Sequence, residues 1–185
     1  MLRASQFILP ICCLSVAAAS WYTATAVVVY AVPRQVMDTI ENRIMVRAGG
    51  WNQCRHNREY GPQFGTVARA NPDSIVTSMA YDVRTGPVRI SGITWPAYWS
   101  LSLYQHNSDN YFTLNDQQLE APQFDIAIVQ AGYEGGPIEG ARIVESPSDT
   151  GIMLIRRFVS TEDELEAVIA NQDQMDCGPV ADQSP

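Results

Sequence analysis

Apolar positions along the chain fall into three regimes: an unbroken run near the start, a helical stripe after it, and alternation through most of the remainder. The run, Phe7 to Val32 (FILPICCLSVAAASWYTATAVVVYAV), is apolar or small almost throughout, and no charge occurs from Ala4 to Pro33. About 20 helical residues cross the roughly 30 Å hydrocarbon core of a bilayer, so this run is long enough to span one. One reading is a secretory signal, with Phe7 to Val16 as its apolar region and Ala17 and Ala19 meeting the small-residue rule for cleavage after Ala19. An uncleaved anchor is the favoured reading, because the run continues past that point through Trp21 and Tyr22 to Val27, Val28, Val29 and Tyr30. Val36, Met37, Ile40 and Ile44 then recur at helical spacing, with Asp38 and Glu41 early and Arg43 and Arg47 late, as the helix dipole favours. Gly49-Gly50 ends this membrane-proximal helix, which continues or kinks from the span at Pro33.

Period-two alternation begins after the Asn71-Pro72-Asp73 turn. Ser74 to Val83 is the first strand, closed by the Arg84-Thr85-Gly86-Pro87 turn. Val88 to Ile93, Tyr98 to Tyr104 and Tyr111 to Leu114 follow, separated by Trp95-Pro96 and by the polar Gln105 to Asn110 link. These four strands are expected to form an antiparallel meander with one buried aliphatic and aromatic face. Phe124 to Gln130, Ala141 to Glu145 and Gly151 to Phe158 bring the expected total to about seven strands. Gly132 to Gly140 reads as a long hairpin or a flap and lacks the strand-to-helix context of a phosphate loop. Thr161 and Glu164 form a capping box before a short helix with Leu165, Val168 and Ile169 as its apolar stripe.

Trp51 to Arg69 has no period and reads as a loop, locally positive through Arg55, His56, Arg58 and Arg69. The expected fold is mainly β, a β sandwich or open barrel, with an N-terminal transmembrane helix, a membrane-proximal helix and a short C-terminal helix. The expected division is an anchor at residues 1–33, a β-rich domain at 34–179 and a disordered tail at 180–185.

Composition narrows the function classes. A net charge of −8 argues against nucleic acid as a partner, because phosphate binding needs a concentrated basic surface. Arg3 before the span, against Arg34, Arg43 and Arg47 after it, would place the body in the cytoplasm. The cysteines weigh the other way. Cys12 and Cys13 lie in the apolar run, which leaves Cys54 and Cys177 near the two ends of the body. They are either free thiols or, on the favoured reading, a bridge closing nearly the whole domain, contributing on the order of 4 to 5 kcal/mol by chain entropy. Such a bridge requires an oxidising compartment and hence the periplasm.

Candidate chemistry is sparse. His56 and His106 are the 2 histidines, so a multi-histidine metal site is excluded; no metal ligand set and no cofactor are expected. His106 with Asp109 is the best acid-base pair on offer, set against a turn held by Asx hydrogen bonds. Tyr81, Trp95, Trp99, Tyr104 and Tyr111 carry polar tips and could line a ligand cavity between sheets, set against core and rim packing.

One resemblance extends across most of the body. Asn71-Pro72-Asp73, Tyr81-Asp82-Val83, Gly86-Pro87-Val88, Tyr98 to Leu103 and Asp109-Asn110-Tyr111-Phe112 occur in this order. Ser146-Pro147, the strand Gly151 to Phe158 and the acidic helix after it follow. In order and spacing the stretch from Val36 to Pro179 resembles the bacterial family catalogued as domain of unknown function 1254. Where that family usually has Asp-Thr-Leu-Tyr after the Asn-Pro pair, this chain has Asp73-Ser74-Ile75-Val76, so roles of that Thr and Tyr do not carry over. The resemblance implies a mostly β fold and no established reaction. In larger members a companion domain numbered 1214 follows on the same chain, and this chain ends before it.

The expectation is therefore a single-pass protein of the bacterial inner membrane with its body in the periplasm. The β domain is expected to act as a binding module for a separate chain carrying the companion domain. Two alternatives stand beside it: a hydrolase or lyase using His106 and Asp109 in an aromatic cleft, and a periplasmic binder of lipid or another apolar molecule.

Overall fold

The structure, a computed structural model, describes residues 5–59, 73–119 and 121–180. Expectations for residues 60–72, including Arg69 and the Asn71-Pro72 turn, and for the tail 181–185 lie outside the described residues.

Helix α1 (Ser5–Ala48) is continuous over 44 residues and contains Pro10 and Pro33. At 1.5 Å per residue it is about 66 Å long, roughly twice what a bilayer core needs. Its residues 10–30 are exposed throughout, whereas Met37 and Glu41 are buried and Ile40, Ile44, Met45 and Ala48 half-buried. The two expected helices are thus one rod, exposed along residues 10–30 and docked at its other end. Pro33 removes a backbone donor from the rod. One position on, Arg34 donates from Nη1 to the Tyr30 carbonyl at 2.7 Å and lies 3.6 Å over the Tyr30 ring. The helix ends where Gly49, at φ +90°, and Gly50 both donate their N–H to the Met45 carbonyl at 3.0 Å. That left-handed glycine supplies the turn a β-carbon would resist.

The body is a sandwich of two sheets. Its strands are β1 (Arg55–His56), β2 (Ser74–Asp82), β3 (Val88–Ile93), β4 (Trp99–Gln105), β5 (Asn110–Asn115), β6 (Gln123–Gln130), β7 (Arg142–Ser146), β8 (Thr150–Phe158) and β9 (Asp176–Pro179). One sheet has the order β1-β2-β8-β4-β5 and the other β7-β6-β3-β9. Nine strands are therefore described where about seven are expected. The additions are β1, two residues long, and β9, whose Gly178-Pro179 lies against the usual strand composition. β9 and the bond from the Val180 N–H to the Pro87 carbonyl carry the described chain past Cys177 to Val180.

The meander expected of the first four long strands does not form. β2 pairs with β8, β3 pairs with β6 and β9, and of these four strands only β4 and β5 pair with each other. The turn at residues 84–87 carries the chain from one sheet to the other. Alternation reports which face of a strand is buried and is silent on its neighbour. The stretch at residues 131–141 is likewise no hairpin, because β6 and β7 are parallel and it is the crossover between them. Ile138, buried beside Ala127 and Val129, and the Glu139 carbonyl, which accepts from Arg89 Nη2 at 3.1 Å, pin it to the sheet.

The core lies between the sheets. Met79, Tyr81, Trp99, Leu101, Leu103, Met153 and Ile155 from one sheet meet Val88, Ile90, Phe124, Ile126 and Ile128 from the other. Ala80 and Ile152 alternate away from this interior and are still buried. Their cover is α1, which contacts β2 and β8. At the opposite end, a 3-10 turn (Glu162–Glu164) leads into α2 (Leu165–Gln172), with Val168 buried against Ile75 and Val159. The capping box closes one residue early: Glu164 Oε2 accepts from the Ser160 N–H at 2.9 Å, and the Thr161 side chain makes no cap. Cys54 and Cys177 form a disulfide with 5.6 Å between their α-carbons. It joins the segment entering β1, the edge of one sheet, to β9, the edge of the other.

Candidate functional site

His106 follows β4 directly and opens the turn to β5. Its N–H donates to Ser148 Oγ at 3.0 Å, which fixes the ring's starting point. Asp38 and Glu41, three residues apart on α1, share one helix face and reach this turn. Nδ1 of His106 lies 3.1 Å from Glu41 Oε1 and 3.4 Å from Thr150 Oγ1, and Nε2 lies 3.6 Å from Asp38 Oδ1. The exposures differ sharply: the Glu41 side chain is 4% exposed and that of Asp38 62%. Burial raises the Glu41 carboxyl above its ordinary value, against the opposing pull of His106 and Thr150. These three side chains are the described group whose ligand atoms lie close enough, within 4.8 Å, to hold a metal ion.

A hydroxyl network continues inward from this junction. Ser148 Oγ donates to the Thr150 carbonyl and Ser146 Oγ to the Ser148 carbonyl, each at 2.7 Å. The Tyr81 hydroxyl lies 3.1 Å from Ser146 Oγ and from the Tyr104 carbonyl, and the Tyr111 hydroxyl donates to it at 3.1 Å. Burial, then the neighbouring Tyr111, raises the Tyr81 phenol far above its ordinary value, and burial raises Tyr111 too. Both stay neutral near pH 7 and serve as hydrogen-bonding struts. Gly151 makes this possible, because a β-carbon there would collide with the Tyr104 carbonyl and the Tyr81 hydroxyl.

The residues singled out from the sequence separate in space. Asp109 does not pair with His106; its Oδ2 accepts from Asn107 Nδ2 at 2.8 Å and Gln105 Nε2 at 3.3 Å, and its N–H donates to Asn107 Oδ1 at 3.0 Å, closing an Asx turn. Trp99 is 2% exposed and stacks on Phe124 with centroids 5.5 Å apart, as core. Trp95 is half-buried and donates from Nε1 to the Phe158 carbonyl at 2.8 Å. Of the five aromatics, Tyr81 and Tyr111 meet through their hydroxyls, and Tyr104 joins them through its carbonyl. The partner that sequence reasoning missed is Glu41. Its signal is position, four residues after Met37 and three before Ile44, in the middle of the stripe α1 buries.

A second polar cluster lies at the α2 end. Arg157 is 1% exposed, and burial lowers its guanidinium to about 10. Its described partners are neutral: Asn171 Oδ1 at 2.6 Å, Thr77 Oγ1 at 3.3 Å and Met175 Sδ at 2.9 Å. Gln172 Nε2 also donates to Thr77 Oγ1, at 3.1 Å, so both lone pairs of that hydroxyl are used. Its proton goes to His56 Nδ1 at 3.0 Å, which makes His56 a neutral ring protonated at Nε2. Burial first, then Arg157 and Arg58, lowers the His56 imidazole, consistent with that assignment.

Comparison with known proteins places the body. No curated protein matches the sequence. The crystal structure of the VPA0106 protein from Vibrio parahaemolyticus is similar in fold, with a TM-score of 0.66 at 12% identity over 82% of this chain. A putative uncharacterized protein from Burkholderia cenocepacia aligns at a TM-score of 0.47 with 15% identity over 76% of this chain. The chain spans 36% of the Vibrio protein and 38% of the Burkholderia one. A family model matches residues 51–179, from the end of α1 to the end of β9, and on that match the chain belongs to the family described as protein of unknown function, DUF1254.

Proposed function

We propose that this chain is a single-pass inner-membrane protein whose β sandwich stands in the periplasm and serves as a binding module for a separate protein chain carrying the companion domain. The observation that carries the reading is α1. One helix holds an exposed apolar stretch at residues 10–30 and, a few turns on, buries Met37 and Glu41 against the sandwich. A body held directly on the end of its anchor has a set height and tilt at the membrane, and that suits presentation of a surface to a neighbour.

Two further observations support the placement and the partner. The Cys54–Cys177 disulfide suits an oxidising compartment. The Vibrio protein of similar fold extends over a length for which these residues have no counterpart, and a second polypeptide could supply that part. Tethering two such chains to one membrane raises their effective concentration, so a modest interface suffices.

The test is affinity purification through a tag after Pro185 from membranes solubilised in mild detergent. The expected result is one companion-domain chain in near-equal amount, and less of it when residues 34–185 are expressed without the anchor. A protein that comes down alone overturns the partner. A C-terminal alkaline phosphatase fusion that is inactive in cells overturns the periplasmic placement.

A further inference from the structure

Both ring nitrogens of His106 face carboxylate oxygens, Nδ1 that of Glu41 at 3.1 Å and Nε2 that of Asp38 at 3.6 Å. A neutral imidazole has one N–H and one lone pair, so it donates to one carboxylate only. Glu41 is the stronger claimant, because its buried carboxylate has His106 and Thr150 to satisfy it whereas Asp38 is exposed to water. With the Nδ1 proton given to Glu41, the Nε2 lone pair faces Asp38 Oδ1, acceptor against acceptor.

A cation between those two atoms resolves the conflict. Two ligands, each roughly 2.0–2.2 Å from a zinc ion at a near-tetrahedral angle, lie about 3.4 Å apart, close to the separation found here. No arginine pairs with Asp38 or Glu41 among the described residues, so the local charge is negative. The arrangement also has an orienting carboxylate behind the histidine. Glu41 on Nδ1 sets the ring plane and raises the basicity of Nε2, as the outer carboxylate does in carboxylate–histidine–metal triads.

We propose that His106 Nε2 and Asp38 Oδ1 form a site for a divalent transition-metal ion of the zinc type, with Glu41 as the residue that positions the imidazole. Water completes the coordination on the exposed Asp38 side. An imidazole and a carboxylate favour zinc over magnesium or calcium, which prefer all-oxygen sets. The ion bridges α1 and the turn between β4 and β5, so it fastens the body to its anchor. The histidine count, which excludes a multi-histidine site, leaves this single-histidine site open. The proposal stands apart from the partner reading, since it concerns the joint between helix and sandwich and not the surface presented.

The test uses the full chain in detergent, disulfide intact, stripped with chelator and titrated with zinc chloride by calorimetry and by thermal unfolding. Expected are one zinc per chain, a raised unfolding midpoint, and no response to magnesium chloride at the same concentration. Asp38→Asn, isosteric at an exposed position, should weaken zinc binding at least tenfold with the apo midpoint unchanged. Glu41→Gln should weaken it about tenfold without removing a ligand. Zinc binding equal in the wild type and in Asp38→Asn overturns the site, as does no uptake at all. If His106→Gln fails to fold, Asp38→Asn alone decides.

Discussion

Glu41 and His106 are separated by 65 positions in the sequence and meet at 3.1 Å, one from the docked half of α1 and the other from the turn between β4 and β5. This contact, with Thr150 beside it, is the polar part of a joint otherwise made by Met37 and its helical neighbours. Glu41→Ala removes the acceptor and leaves half-buried donors unmatched, with an expected loss of about 1–2 kcal/mol. Limited trypsin digestion should then cut faster at Arg43 and Arg47, as the end of the helix frays. Asn42→Ala, on the exposed face of the same turn, should change neither the denaturation midpoint nor the cleavage rate.

Gly151→Ala is expected to cost about 3 kcal/mol, since a β-carbon meets the Tyr104 carbonyl and the Tyr81 hydroxyl and two strands must part to admit it. Gly136→Ala is the control, since a β-carbon there has open space around it. Equal unfolding midpoints for the two variants would show that the Tyr81 hydroxyl is not held where the network requires.

Alkylation of the denatured chain should trap two thiols, those of Cys12 and Cys13, before reduction and all 4 cysteines after it. Replacing Cys54 and Cys177 with Ser frees a loop of 123 residues in the unfolded state, for an expected loss of about 3–5 kcal/mol. The damage should appear first where the edges β1 and β9 meet, as faster amide exchange at His56 and Cys177.

His56 predicts the sign of one pH dependence. Its folded imidazole is depressed, so below the unfolded value of about 6.5 the unfolded chain takes up a proton that the folded chain resists. Stability from this group is complete above about pH 6.5 and is lost as pH falls toward the folded value. Urea unfolding at several values between about pH 5 and 8 should show a steeper acid decline in the wild type than in His56→Gln. Parallel curves would mean that His56 is solvated and not held against Thr77 and Arg157.

Much of the secondary structure is legible from residues alone, because period and punctuation are local. Gly49-Gly50 stops a helix wherever the helix is, and alternation in Gly151, Met153 and Ile155 marks an inward face. The same alternation places Arg157 inward, a signal available in the sequence and easily passed over, because a charged residue reads as surface. β1 and β9 are hidden for the opposite reason. Two residues carry no period, and Gly178-Pro179 opposes strand composition until the neighbouring β3 backbone overrides it.

By itself the sequence determined the apolar run, the long strands with their buried faces and the family pattern, and it narrowed Cys54 and Cys177 to a bridge or two free thiols. Each of these rests on spacing along the chain or on the elimination of other partners. Tertiary structure alone decided that β2 lies beside β8 and not β3, that His106 answers to Glu41 and not Asp109, and that the described partners of Arg157 are neutral. Those outcomes depend on which sheet a turn delivers its strand to and on which face α1 and α2 then cover. The physical reason is that closing a long loop costs little more than closing a short one, so proximity in sequence is a weak guide to pairing once burial can choose among partners.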